Sequence, residues 1–211
     1  MRGLVMVLAA CLAAAAPADG PGRPNRLDDG LLDTQWLGVG AEAEWRTPAG
    51  IDYLWVKPGF SLAGRMLALE PWSAPTFRNG ERDREDSRLA MSLNDSMPGR
   101  LASALSAAGV EGVSRTAGDL RLTGRFVDCN AGSKVLRLMG GSSVVIGNAT
   151  WEIKLVDAAT GETVAAVHHR GVSGADSRNL GEKINLWLTR VFAPALHDWF
   201  AVYERAPPAR E

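Results

Sequence analysis

The sequence predicts an α+β two-layer sandwich, with a mostly antiparallel sheet of about four to five strands and two helices on one face. Three observations predict it. From Asn148 to Leu155 apolar and polar residues alternate, with Ala149, Trp151, Ile153 and Leu155 on one side and Asn148, Thr150, Glu152 and Lys154 on the other. That period of two is a half-buried strand. Leu89, Leu93, Met97, Leu101 and Leu105 recur every four residues, and Leu180, Ile184, Leu188, Val191, Ala195 and Trp199 form a second stripe. Each stripe marks an amphipathic helix. Helices placed before and after an antiparallel run can both cover one face of its sheet.

The chain opens with Met1-Arg2 and an apolar and small run, Leu4 to Ala16, that ends at Pro17-Ala18 before Asp19. One positive charge, a short apolar core and small residues at a cut site make a secretory signal peptide, residues 1–18. A competing reading is the lipobox Leu8-Ala9-Ala10-Cys11, with Cys11 as the candidate lipidation site. The cut after Ala18 is preferred, because the lipobox cut would leave an apolar stretch, Leu12 to Ala16, where lipoproteins usually carry a polar linker. The run is also too short for a span of roughly 20 residues.

Residues 19–50 read as an extended lead-in, since the stretch to Gln35 is rich in Gly, Pro and Asp. Residues 51–205 read as a single α+β domain, and 206–211 as a disordered tail. The content of 46% apolar and 22% charged residues is that of a globular chain. A net charge of −1 gives no sign of a nucleic-acid partner. After the Ala18 cut Cys129 is the one Cys left, so it is expected to be buried and not disulfide-bonded.

Within the domain, Asp52 to Val56 is a short strand stopped by Lys57-Pro58-Gly59, and Arg65 to Glu70 is a second, ended by Pro71. The charged stretch Arg78 to Arg88 leads into the first helix. Pro98 is expected to kink or restart that helix with Ser96 as cap, and Gly109 to end it. Val113 to Ala117 is a short strand, and Leu120, Leu122 and Phe126 carry a loose alternation on to Cys129. Asp157 to Gly161 is a turn, and Thr163 to Arg170 returns as the partner strand of a β-hairpin. Asn179 is placed to cap the last helix, and Pro194 to bend it.

Several pieces carry a resemblance. Gly30-Leu31-Leu32-Asp33, then Tyr53-Leu54-Trp55-Val56-Lys57-Pro58-Gly59-Phe60, then Leu67-Ala68-Leu69-Glu70-Pro71 resemble uncharacterised bacterial envelope lipoprotein families. Gly132 to Gly141 and the hairpin from Trp151 to Glu162 resemble the glycine loop and D-x-x-T-G hairpin of the same proteins. The resemblance spans roughly residues 30–203. It implies the small α/β fold of the TolB amino-terminal domain and the CsgG-like secretion proteins, and an envelope role in binding or assembly.

No catalytic constellation stands out. His168 and His169 are adjacent on a strand, so they point to opposite faces and do not easily share a metal. His197 and Asp198 likewise diverge on the last helix. Ser residues lack a G-x-S-x-G setting, and Gly38-Val39-Gly40 lacks the third Gly of a dinucleotide loop. Asp128 beside Cys129 disfavours the thiolate that a nucleophile needs. No metal, cofactor or catalytic residue is therefore assigned.

The candidate contact loop lies within 130–147. Lys134, Leu136, Arg137 and Met139, with Gly140 and Gly141, are expected to meet a membrane surface or partner. The function expected is a non-enzymatic envelope module for binding or assembly, periplasmic or else an outer-membrane lipoprotein. Its partner would be an envelope protein, a membrane surface or further copies of itself. The alternatives are a hydrolase, built from His168 or His169 with Asp128 or Asp157, and a pore subunit assembled by strand addition.

Overall fold

The computed structural model describes residues 31–77, 84–130, 147–173 and 180–196. They form one six-stranded sheet in the order β1-β6-β5-β4-β2-β3. The strands are β1 (Tyr53–Val56), β2 (Leu67–Leu69), β3 (Val113–Ser114), β4 (Leu120–Asn130), β5 (Asn148–Asp157) and β6 (Thr163–Val172). The helices are α1 (Thr34–Leu37), α2 (Arg84–Ala107) and α3 (Leu180–Trp187). A π-helical turn, Leu188–Phe192, follows α3.

The sheet is mostly antiparallel, but it has six strands rather than four to five, and two of its pairings are parallel. β4, β5, β6 and β1 are antiparallel, but β2 pairs in parallel with both β3 and β4. The 24-residue α2 explains this. It carries the chain back past the sheet, so β3 re-enters beside β2 in the same direction as a βαβ unit. Both edges are short. Leu54 of β1 exchanges two backbone hydrogen bonds of 2.8 Å with Arg46, and β3 has two residues.

The expected helix stripe is buried as predicted: Leu93, Met97, Leu101 and Leu105 all lie in the main core. Pro98, however, sits inside one uninterrupted helix. Ser96 does not cap there; its hydroxyl donates to Leu93 O at 2.8 Å and accepts from Arg100 Nε. Gly109 does end the helix, at φ +74°, and Val110 N–H bonds Leu105 O at 3.0 Å across it. That reach of five residues is a Schellman closure, which needs the left-handed Gly. The last helix departs from regular winding in the turn before Pro194, whose missing N–H cannot continue the ladder.

α2, α3 and the π turn join one core with Trp151, Ile153, Leu155 and Phe126 of the sheet. Both long helices thus pack on one face, while α1 lies in the cluster on the other. Cys129 is buried in the same core. A bulge between Phe126 and Asp128 lets Phe126 and Cys129, of opposite parity, face the same side.

The second face is not solvent-facing. Thr150 and Glu152 are both 0% exposed, so β5 is buried on both sides rather than half-buried. The cover is the segment from Leu31 to Trp45, which the sequence places in an extended lead-in. It contains α1, and Leu37 and Val39 bury against Ala166 of β6, flanked by Trp36, Trp45 and Trp55. Among the described residues, no helix is long and apolar enough to cross a membrane.

Candidate functional site

Strand register builds the site. On the face away from the helices, Arg125 of β4 lies opposite Glu152 of β5, Glu152 opposite His168 of β6, and His168 opposite Tyr53 of β1. Four adjacent strands therefore line up one row of side chains, because directly opposed residues share a face. Arg125 donates from Nε (3.0 Å) and a terminal nitrogen (2.7 Å) to Glu152 Oε2. The other carboxylate oxygen, Oε1, lies 3.2 Å from His168 Nδ1. Tyr53 meets the His168 ring edge-on at 5.7 Å.

The N-terminal strap, residues 31–39, completes this row. Asp33 is the N-cap of α1, accepting from Trp36 N–H at 3.1 Å. Its own N–H donates to Glu152 Oε1 at 2.7 Å, and its Oδ2 accepts from Arg125 at 2.6 Å. The Trp36 ring lies 4.3 Å from both the Arg125 guanidinium and the Lys154 ammonium, a double cation–π contact. Lys154 also donates to Trp36 O at 2.7 Å, and Thr163 donates to Leu37 O at 2.7 Å. Burial, followed by the nearby Arg125 charge, lowers the Lys154 pKa below the ordinary lysine value, while Glu152 opposes that shift. Gly38, at φ +70°, turns the strap past Thr163 and closes α1.

His169 belongs to a different cluster on the helix face, so the two histidines diverge as expected. Its ring stacks on Trp187 at 4.6 Å and 10°, with the Trp151 ring edge-on at 5.1 Å. His169 Nδ1 lies 3.0 Å from Asp52 Oδ2, outside hydrogen-bond geometry. Trp187 Nε1 donates to Gly50 O at 2.7 Å. This cluster ties α3 to the loop before β1. An apolar cavity of about 30 Å³ lies nearby, lined by Leu54, Val56, Leu155, Val167, Phe192 and Leu196. It has room for about one water, and the side chains that line it are apolar.

The acids proposed for a hydrolase are engaged elsewhere or lie in another row. Asp157 is bonded by Arg65 at 2.6 Å, and Asp128 stands opposite Thr150 rather than beside His168. Glu152, Arg125 and Asp33, which sequence reasoning did not single out, are the residues gathered with His168. Their trace in the sequence is a charge at matching register on each of two neighbouring strands. Among the described residues, no group of three or more His, Cys, Asp or Glu is placed to hold a metal ion.

Cys11 and the contact loop Lys134, Leu136, Arg137, Met139, Gly140 and Gly141 lie outside the described residues, as do His197 and Asp198. The feet of that loop are described. Asn130 pairs with Asn148, and Gly147 and Ser173 share three hydrogen bonds of 2.8 to 3.0 Å.

No family model matches the chain, and no curated protein does. Solved structures similar to it include the PelC dodecamer from Paraburkholderia phytofirmans, at 14% identity over 67% of this chain and 93% of that one, with a TM-score of 0.47. A DUF330 protein from Xanthomonas campestris is 15% identical over 71% and 92%, with a TM-score of 0.39. A lipoprotein from Neisseria meningitidis is 15% identical over 62% and 98%, with a TM-score of 0.36.

Proposed function

We propose that this chain is an exported cell-envelope protein that acts by binding or assembly and not by catalysis. The leader, residues 1–18, supports export. The resemblance to envelope lipoproteins of TolB amino-terminal-domain or CsgG-like fold belongs to the same proposal. The observation that carries the binding reading is the use made of the one charged row. Glu152, Arg125 and Asp33 bond one another, and with Lys154 and Thr163 they hold a peptide segment on the sheet. Such a constellation is a docking surface, because its polar atoms are met by backbone and side chains of the docked segment.

Three kinds of partner fit: an envelope protein, a membrane surface met by the 130–147 loop, or a second copy. Strand addition is the weaker route, since Arg46 already occupies β1 and β3 is two residues long. The test is the intact mass of the protein from periplasmic and membrane fractions. An Asp19 start in the periplasm is expected. A lipidated Cys11 in the outer membrane would move the same module to a membrane face. Unprocessed protein in the cytosol would overturn the proposal.

A further inference from the structure

We propose that the strap, residues 31–39, is an exchangeable element, and that the groove it fills also accepts the same strap from a second copy of this chain. The inference rests on the reading of the protein as a binding or assembly module. It adds the surface, the ligand and the partner.

The groove is built without the strap. Arg125, Glu152 and His168 stand on three adjacent strands of a rigid sheet and contact one another directly. When the strap leaves, Glu152 keeps both Arg125 hydrogen bonds, so the departure does not strand that buried carboxylate without a cation. The receptor half is thus preorganised, which lowers the cost of binding a segment from outside.

The strap itself is a compact ligand. Asp33, Trp36 and Leu37 follow the i, i+3, i+4 spacing of one helical turn, so all three reach the sheet together. Asp33 meets the Arg125 cation, the Trp36 ring meets two cations, and Leu37 is fully buried. Its hold is modest beside that of the body. The apolar part of the contact buries Leu37, Val39 and Ala166, with Leu32, Trp36, Ala43, Trp45 and Trp55 packed against them, a smaller cluster than the main core that unites both long helices and the sheet. Segments with few apolar contacts open locally at low free energy.

Chain position favours exchange. The strap lies ahead of every strand among the described residues, so it can leave and re-dock on a neighbour without threading them. Gly40, Ala41, Glu42 and Glu44, which follow it, are exposed and form the natural hinge. An exchanged strap makes the same contacts as a resident one, so copy number at the site of assembly sets the balance. The two short sheet edges leave this groove as the better-built self-complementary surface among the described residues.

The test uses the full mature chain and a labelled peptide spanning residues 29–41. The peptide should bind the D33N/W36A variant, whose own strap is weakened, about 10-fold or more tighter than wild type, a difference of about 1.4 kcal/mol. A peptide carrying the same two changes should lose that binding. Heavy- and light-isotope copies with a photo-crosslinker at Gln35 should give heavy–light strap-to-groove links that rise with concentration. Should D33N/W36A fail to fold, D33N alone, which weakens the resident strap and leaves the groove intact, takes its place with a smaller fold-change in the same direction. Peptide binding to neither folded variant overturns the groove as a receptor. Peptide binding with links confined to single copies overturns the second copy as its occupant. Fractionation tests export separately, so the failure of either idea is visible without the other.

Discussion

The two faces of the sheet are buried by different means. Under the helices, Trp151, Phe126, Trp72 and Trp187 interlock, and the fit is tight enough that two glycines are required. A Cβ on Gly124 would stand 2.7 Å from the Trp72 ring and from Glu152 O, and one on Gly171 would stand 2.7 Å from the Trp151 ring. Under the strap, charge shares the covering with the small apolar cluster of Leu37, Val39 and Ala166: Arg125, Glu152, Asp33 and Lys154 balance one another around Trp36. The helix face should therefore respond to changes in volume. The strap face should respond to changes in charge balance, and it should forgive a balanced pair of changes.

Trp151→Ala tests the first claim with the largest effect. It should cost about 4 kcal/mol in urea unfolding, through the cavity left among Phe126, His169 and Trp187. Arg125→Met and Glu152→Leu should each cost about 3 kcal/mol, because each leaves a buried charge without its main partner. Their combination should cost less than either alone, as replaced buried pairs often do. A double variant at the sum of the two losses would erase the contrast between the faces. Gly171→Ala should cost about 2 kcal/mol by overpacking against a fully buried ring. Asp33→Asn should cost about 1 kcal/mol and act locally. Hydrogen exchange should rise over residues 31–39 while the amides of β5 stay protected, and a uniform rise would show that the strap is not separable.

The helix face was the legible one. Alternation in Asn148 to Leu155 and the four-residue stripe of α2 report which side of an element is apolar, and both sides matched. The polar side of β5 was misread, because Thr150, Glu152 and Lys154 look the same whether water or a strap covers them. The strap itself has no period to find. Trp36, Leu37 and Val39 sit in a run broken by Gly38 and Gly40, and their sheet partners Lys154, Thr163 and Ala166 lie more than a hundred residues away. The bulge left a fainter trace, the change of parity between Phe126 and Cys129. The parallel pairing of β2 was hidden by its length, three residues, over which no period can be counted.

Asp157 sharpens the comparison from outside both faces, and its effect is the smallest. It opens the β5–β6 turn, where its Oδ1 accepts from Ala159 and Thr160 N–H at 3.0 Å and its Oδ2 accepts from Arg65 at 2.6 Å. The Arg65 hydrogen bond, then the Thr160 N–H, hold its pKa at about 2, below the ordinary value of 3.8. A carboxylate whose folded pKa is depressed stabilises the fold above its unfolded pKa and loses that contribution as pH falls through the folded one. Wild type should thus exceed Asp157→Asn in stability above about pH 4, with the gap closing between there and about pH 2. Added salt should narrow the gap at pH 7, because this ion pair is reached by solvent. The same salt should leave the pair at Arg125 and Glu152 unmoved, since their side chains are 7% and 0% exposed. Equal salt sensitivity at the two sites would mean that the strap does not seal its face.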